Sequence, residues 1–211
     1  MRKVDLLLAG VGGQGVILAS DILAETAMEA GYDVKKTDVL GMAQRGGSVV
    51  SHVRLGPQVH SPLVKRGQAN ILLSFEKLEA ARWAAHLAPD ALAIVNDDSV
   101  YPLAVSSGAE QYPSDEEVIN ILGRQPGKLH IVDAVAIADE FGNKRVANVI
   151  MLGFLSHFLD IDYDHWRHCL SQRLPSRFVA LNEAAFKRGR AEAESKTAAH
   201  RVAANASQGA S

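Results

Sequence analysis

Two glycine-rich segments in the first quarter of the chain have residue types suited to holding a ligand or a partner group. Gly10-Val11-Gly12-Gly13-Gln14-Gly15 follows the apolar run Val4 to Ala9, and Gly41-Met42-Ala43-Gln44-Arg45-Gly46-Gly47-Ser48 follows a short run ending at Asp38. Glycine permits positive φ and leaves backbone amides open to close approach. Where such a loop opens a helix, the unsatisfied N–H groups and the positive end of the helix dipole make an anion site. In the second segment Gln44 and Arg45 are long hydrogen-bonding side chains beside small residues, and a simple turn needs neither. Gly12, Gly13, Gln14 and Gly15 are one candidate set of ligand-binding residues. Met42, Gln44, Arg45, Gly46, Gly47 and Ser48 are the other, with Arg45 offering a fork-shaped cation for phosphate or carboxylate.

Hydrophobic periodicity supplies the elements that must position these loops. The sequence predicts strands at Val4–Ala9, Asp33–Asp38, Ser48–Leu55, Ile71–Phe75, Ala91–Asn96 and Leu129–Asp133. It predicts helices at Gly13–Ala30, Lys77–His86, Ser114–Leu122, Asp133–Phe141, Val146–Leu159, Asp162–Gln172 and Arg177–Arg190. Ser114 and Glu117 have the spacing of a capping box, and Pro89-Asp90 is read as closing a helix before the next strand. Strands alternating with helices imply an α/β fold. We expect a single three-layer domain over residues 1–190 with a mostly parallel, Rossmann-like sheet, which receives ligands at the carboxyl ends of its strands. Residues 191–211 are mostly Ala, Ser, Glu and Gly without apolar anchors, and a disordered tail is expected there. The stretch Arg145 to Leu159 has hardly any polar face, so it is either a central core helix or a helix covered by a partner.

Gly10, Gly12 and Gly15 also fit the dinucleotide fingerprint, with Asp38 near the place of its ribose-binding acid. A Rossmann-type NAD(P)-binding protein is therefore an alternative. Against it, the second glycine segment leads into the alternating, β-branched Ser48–Leu55, a strand where a dinucleotide unit would continue into a crossover helix. A non-catalytic regulatory protein on the same fold is a further alternative.

Composition narrows the field. The 211 residues have 47% hydrophobic content and a formal charge of −2, which gives no electrostatic case for nucleic acid or a membrane surface. No apolar stretch reaches the roughly 20 residues of a membrane span. The few apolar residues after Met1-Arg2-Lys3 are too short for a secretory signal. Cys169 is the only cysteine, so there is no disulfide framework and a cytoplasmic location is expected. A four-iron cluster needs about four thiolates, so none can be assembled from this chain alone. Cys169 reads as a core thiol. His165 and His168 are three apart beside Asp162 and Asp164, but the spacing suggests no third metal ligand. Glu76, Asn96 and Asp97 follow strands, where they either face the site or start a helix or turn.

Together, GVGGQGVILAS and GMAQRGGSVVSHVRLG resemble the gamma-type subunit of the 2-oxoacid:ferredoxin oxidoreductases, and within that family the small (beta) subunit of indolepyruvate:ferredoxin oxidoreductases. The likeness continues through Ser61-Pro62-Leu63, Asn70 to Glu76, Val95-Asn96, Asn148 to Gly153 and Leu181 to Phe186, covering roughly residues 3 to 190. The resemblance implies a subunit of an enzyme of aromatic amino-acid catabolism that oxidatively decarboxylates an aryl 2-oxoacid to an acyl-CoA. It implies no catalytic residue and no cofactor on this chain alone. Thiamine pyrophosphate with magnesium and [4Fe-4S] clusters would lie on a large alpha subunit, electrons would leave to ferredoxin, and the assembly would hold two of each subunit. The small subunit would be inactive alone, would close the partner's site and would help to hold coenzyme A.

Overall fold

A computed structural model describes residues 2–41, 47–124 and 127–208. The chain opens with β1 (Val4–Val11), buried at every position but the first. It continues through α1 (Val16–Glu29), β2 (Asp33–Leu40), β3 (Ser48–Gly56), β4 (Ala69–Ser74), α2 (Lys77–Trp83) and, after a 3₁₀ turn, β5 (Leu87–Asn96). Then come α3 (Leu103–Ser106), α4 (Asp115–Gly123), β6 (Gly127–Val132), α5 (Ala134–Asp139), α6 (Ala147–Ser156), α7 (Tyr163–Arg173) and α8 (Ser176–Gln208). The strands form one sheet in the order β2-β3-β1-β4-β5-β6. β1, β4, β5 and β6 are mutually parallel, and β3 runs antiparallel to both β1 and β2. Only β3 is reversed, so the sheet is mostly parallel as expected.

The period-two alternation of the strands divides the core. Leu6, Leu8, Val53, Leu73 and Ile94 face α1 and α5 to α8. Leu7, Ala9, Val50, Leu72 and Val95 face α2 and α4. Three layers result, held by strands buried on both faces. The capping box forms: Ser114 Oγ accepts from Glu117 N–H, and the Glu117 carboxylate accepts from Ser114 N–H at 2.8 Å.

Three expectations change, and one choice left open is decided. Helix α1 begins at Val16, not Gly13, because Gly13 (φ 106°) and Gly15 (φ 81°) adopt positive φ. Pro89-Asp90 lies inside β5, where the register against β4 shifts between Ala69 and Ile71. Asp90 takes φ 62° there, within a stretch of β5 three residues longer than the β4 segment it passes, and proline has no ladder donor to lose. The all-apolar stretch is covered within the chain: α6 packs beneath α8, with Val149 to Ser156 buried. A Cβ on Gly153 would sit 2.1 Å from the Phe186 carbonyl oxygen, and one on Gly189 2.0 Å from that of Ile150. Two glycines thus bring the helix backbones together. Finally, residues 191 to 208 continue α8 where a disordered tail was expected. Ala193 is fully buried, and Lys196 Nζ donates to the Ile131 carbonyl of β6 at 2.6 Å. Alanine, a strong helix former, serves here as the anchor that larger residues usually provide.

Candidate functional site

Because β1, β2, β4, β5 and β6 point the same way, their carboxyl ends share one edge of the sheet. The two glycine segments meet there. Val11 pairs with Ser48 in the β1–β3 register, Gly12 N–H donates to the Gly47 carbonyl (2.9 Å), and Gly41 N–H donates to the Ser48 carbonyl (2.8 Å). Hence β2 and β3 form a hairpin whose two stems are bonded to each other as far as Gly41 and Ser48, and the returning stem is bonded to the first loop at Gly47. Met42, Gln44, Arg45 and Gly46 lie outside the described residues.

Within the first loop Gly12 and Gly13 are exposed, and a Cβ on Gly13 would meet nothing within 4 Å. Gly15 is different, since its Cβ would lie 2.2 Å from Asn148 Nδ2 at the start of α6. Beside this contact a cleft of about 420 Å³ is lined by Leu18, Arg145, Asn148, Val149, Phe178 and Asn182. Another cleft, of about 680 Å³, is lined by Lys3, Asn70, Asp90 and Lys128 at the opposite edge, away from the glycine loops.

Gln14 does not present its amide outward. Its Oε1 accepts from Val11 N–H (3.0 Å), while Nε2 donates to the Phe75 carbonyl (3.0 Å) and to Asp98 Oδ2 (3.1 Å). The side chain closes its own loop and ties it to the ends of β4 and β5. Both amide protons are engaged within the chain, where the sequence suggested a ligand donor. Ser48 also turns inward, its Oγ donating to Glu79 Oε2 at 2.5 Å.

Behind the loops lies a carboxylate pair of which the sequence reading selected only one member. Glu76 and Glu79, 1% and 0% exposed, stand at and just inside the start of α2. Glu76 caps that helix by accepting from Glu79 N–H (2.8 Å), and its other oxygen accepts from the Tyr112 hydroxyl and from Val100 N–H (3.3 Å). Burial pushes the Glu76 carboxyl above the usual carboxylate range, although the Tyr112, Glu79 and Val100 donors pull it back. Burial, then the hydrogen bond to Glu76, likewise raises the Tyr112 phenol. Glu79 is held by Ser48 and by Arg82 Nη1 (2.5 Å). Its sequence signal was the position three residues after a helix N-cap, where an acid is commonplace.

The remaining candidates take structural places. Asn96 donates to the Phe75 carbonyl (3.2 Å) and accepts from Ala134 N–H (3.0 Å), joining β4, β5 and α5. Asp97 pairs with Lys77 at 3.0 Å. Burial opposes that lysine's charge, but bonds to Asp115 and Asp97 outweigh it and raise its pKa. His168 and His165 approach Glu29 at 3.4 and 3.9 Å. Cys169 is buried, and burial pushes its thiol up.

Asp38 does not fit the dinucleotide reading. Strand β3 separates β2 from β1, which moves the acid about 10 Å from the glycine loop, two strand spacings where a ribose-binding acid needs one. Its carboxylate is already bonded to Ser51 Oγ (2.6 Å) and Lys36 Nζ (2.8 Å).

Comparison with known proteins matches this arrangement to one group. The family model described as pyruvate ferredoxin/flavodoxin oxidoreductase matches residues 5–192. Indolepyruvate oxidoreductase subunit IorB of Pyrococcus horikoshii is 35% identical over 192 residues, which are 90% of this chain and 95% of that protein. The keto/oxoacid ferredoxin oxidoreductase gamma subunit from Geobacter sulfurreducens superposes with a TM-score of 0.68 at 22% identity, over 91% of this chain and 99% of that one. The 2-oxoglutarate:ferredoxin oxidoreductase from Magnetococcus marinus, solved with 2-oxoglutarate, coenzyme A and succinyl-CoA bound, gives 0.71 at 20% identity. It covers 92% of this chain but only 32% of the longer one. On these matches this chain belongs to the pyruvate ferredoxin/flavodoxin oxidoreductase family, as a gamma-type subunit of the 2-oxoacid:ferredoxin oxidoreductases.

Proposed function

We propose that this chain is the small subunit of an indolepyruvate, or other aryl 2-oxoacid, oxidoreductase that converts its substrate to an acyl-CoA and passes electrons to ferredoxin. The observation that carries the reading is the match to an indolepyruvate oxidoreductase subunit along 95% of that protein's length. In this reading the subunit holds no redox centre. One buried cysteine cannot assemble an iron–sulfur cluster, and the described residues contain no group of three or more His, Cys, Asp or Glu placed to hold a metal. Thiamine pyrophosphate with magnesium, and the clusters, belong to a larger alpha subunit in a cytoplasmic hetero-oligomer with two copies of each chain. Thiamine supplies the carbanion-stabilising chemistry when bound.

This chain's part is to close the partner's site with the glycine edge. Gly12 and Gly13 present backbone at an exposed turn, and Arg45, in the second glycine segment of the sequence, supplies a cation for an anionic group such as those of coenzyme A. The small loop residues let the partner or the coenzyme approach the backbone closely. Co-expression with the large subunit and a tag on this chain tests the proposal. The expected result is a co-purifying iron–sulfur protein whose indolepyruvate-dependent, coenzyme A-dependent reduction of ferredoxin exceeds that with pyruvate. A chain that captures no such protein, or a complex inactive with every aryl 2-oxoacid, would overturn it.

A further inference from the structure

We infer that Glu79 is a positioning residue: it fixes the foot of the second glycine segment through the Ser48 hydroxyl, and through that foot the first segment as well. The functional part of this inference rests on the reading of the glycine edge just proposed. Ser48 is the first residue of β3 and lies opposite Val11, on the face that carries Val50 toward α2. Its hydroxyl donates to Glu79 Oε2 at 2.5 Å. The next link is backbone, because the Gly47 carbonyl, adjacent to Ser48, accepts from Gly12 N–H at 2.9 Å. A carboxylate with no solvent exposure thus reaches both loops through one serine.

Two features distinguish this from an incidental contact. First, a buried carboxylate is costly unless its oxygens are matched by donors. Glu79 has one oxygen on Ser48 and the other on Arg82, so Ser48 completes the set and cannot turn outward without leaving a buried acceptor short. Second, the amide of Glu79 is itself held by Glu76, which also takes the Tyr112 hydroxyl and Val100 N–H. The tether therefore ends in a framework that joins α2 to the segments after β5 and before α4, not in a mobile surface side chain. Ser48 was a candidate ligand contact; its hydroxyl is engaged in holding the loop.

The isosteric pair Ser48→Thr and Ser48→Val tests this, because both add the same bulk and only threonine keeps the hydroxyl. On the isolated full-length chain, amide hydrogen exchange at Gly12 should quicken about tenfold in Ser48→Val and stay within about twofold of wild type in Ser48→Thr, as expected for one charge-assisted hydrogen bond. In the complex with the large subunit, Ser48→Val should raise KM for coenzyme A, or weaken subunit affinity, by a similar factor while kcat changes little. Ser48→Thr should restore wild-type values, and adding Glu79→Gln to Ser48→Val should bring less loss than Glu79→Gln alone. Equal exchange at Gly12 in the Thr and Val variants would overturn the tether. Multiplicative losses in the double variant would do so too. A wild-type complex without 2-oxoacid activity would instead refute the proposed function, and the exchange result would stand by itself.

Discussion

Replacing Gln14 by alanine separates a loop that is braced from within from one whose glutamine serves a ligand. The side chain makes three hydrogen bonds, to Val11 N–H, the Phe75 carbonyl and Asp98 Oδ2. They are not equivalent. Phe75 keeps a second donor in Asn96 Nδ2, so losing Gln14 leaves that carbonyl satisfied. The Val11 amide has no such substitute in the loop and, where water cannot reach it, costs about 1–3 kcal/mol. The Asp98 bond is charge-assisted, worth about 1.5–3 kcal/mol when dry and less here because the site is only partly buried. A total near 2–3 kcal/mol is expected, or a fall in Tm of about 4–12 °C for a chain of this size. Gln14→Glu is the sharper perturbation. It keeps the acceptor for Val11 but sets a carboxylate against the Phe75 carbonyl and the Asp98 carboxylate. Its folded-state pKa must then rise above the unfolded value, so the variant should regain stability as the pH falls from 8 to 5. Adding Asp98→Asn should restore part of the loss at pH 8. Urea unfolding of the isolated subunit at both pH values reads all of this. If Gln14→Ala unfolds within about 0.5 kcal/mol of wild type and loses only activity in the complex, the brace is wrong and Gln14 serves a ligand.

Gly15→Ala should destabilise the chain more than Gly13→Ala, although both have positive φ, because only at Gly15 does the new methyl collide with Asn148; similar midpoints for the two would contradict this packing. Arg45→Ala should leave the free chain's stability unchanged and weaken coenzyme A use or subunit affinity by about 1.5–3 kcal/mol, the range for a charge-assisted hydrogen bond; unchanged kinetics with normal assembly would remove Arg45 from the site. The isolated subunit should be colourless and unable to reduce a dye with any 2-oxoacid, and iron and sulfide found in the chain itself would disprove that. Acidification should destabilise the fold through His52 and His86, whose pKa values burial pushes below 6.5, with His86 adding to the effect on His52 and Arg66 to that on His86. The unfolded chain then binds more protons, so their contribution is complete above about pH 6.5 and is lost as the pH falls through 6.5 toward the folded values. Protonation would also break the bond that His52 Nδ1 accepts from Val64 N–H at 3.2 Å. A urea midpoint equal at pH 7.5 and 5.5, or one whose change survives His52→Gln with His86→Gln, would count against it.

How far the sequence could be read depended on whether the deciding interactions were local. Central strands buried on both faces announce themselves as apolar runs, and all six strands were legible, β2 included although none of its residues is buried. The capping box at Ser114 and Glu117 is a four-residue signal and was equally plain. Failures began where a residue answers to something distant. Pro89-Asp90 has the composition of a turn, and only the shifted pairing of β5 with β4 makes it a kink within a strand. The alanines after residue 190 look unanchored until Ala193 is seen to be buried and Lys196 to reach β6.

The site shows the same division. Glycine spacing located both loops, and β3 puts them in contact, because a hairpin inserted beside β1 must return its tip to the carboxyl edge where the first loop stands. That insertion also counts against the dinucleotide reading. It takes Asp38 out of reach of the loop that a dinucleotide would occupy, and in its place brings Gly47 within 2.9 Å of Gly12. What no local pattern could reveal is the inward turn of Gln14 and Ser48. Both are polar residues in glycine-rich loops, where an outward role is the natural first reading. Their partners, Phe75 just after β4, Asp98 just after β5 and Glu79 in α2, follow much later in the chain. Two polar side chains that looked like the reactive part of the site are thus what holds its backbone in place. On the proposed function, contact with a ligand or partner would then fall to the glycine amides of the first loop, which small residues leave open to close approach.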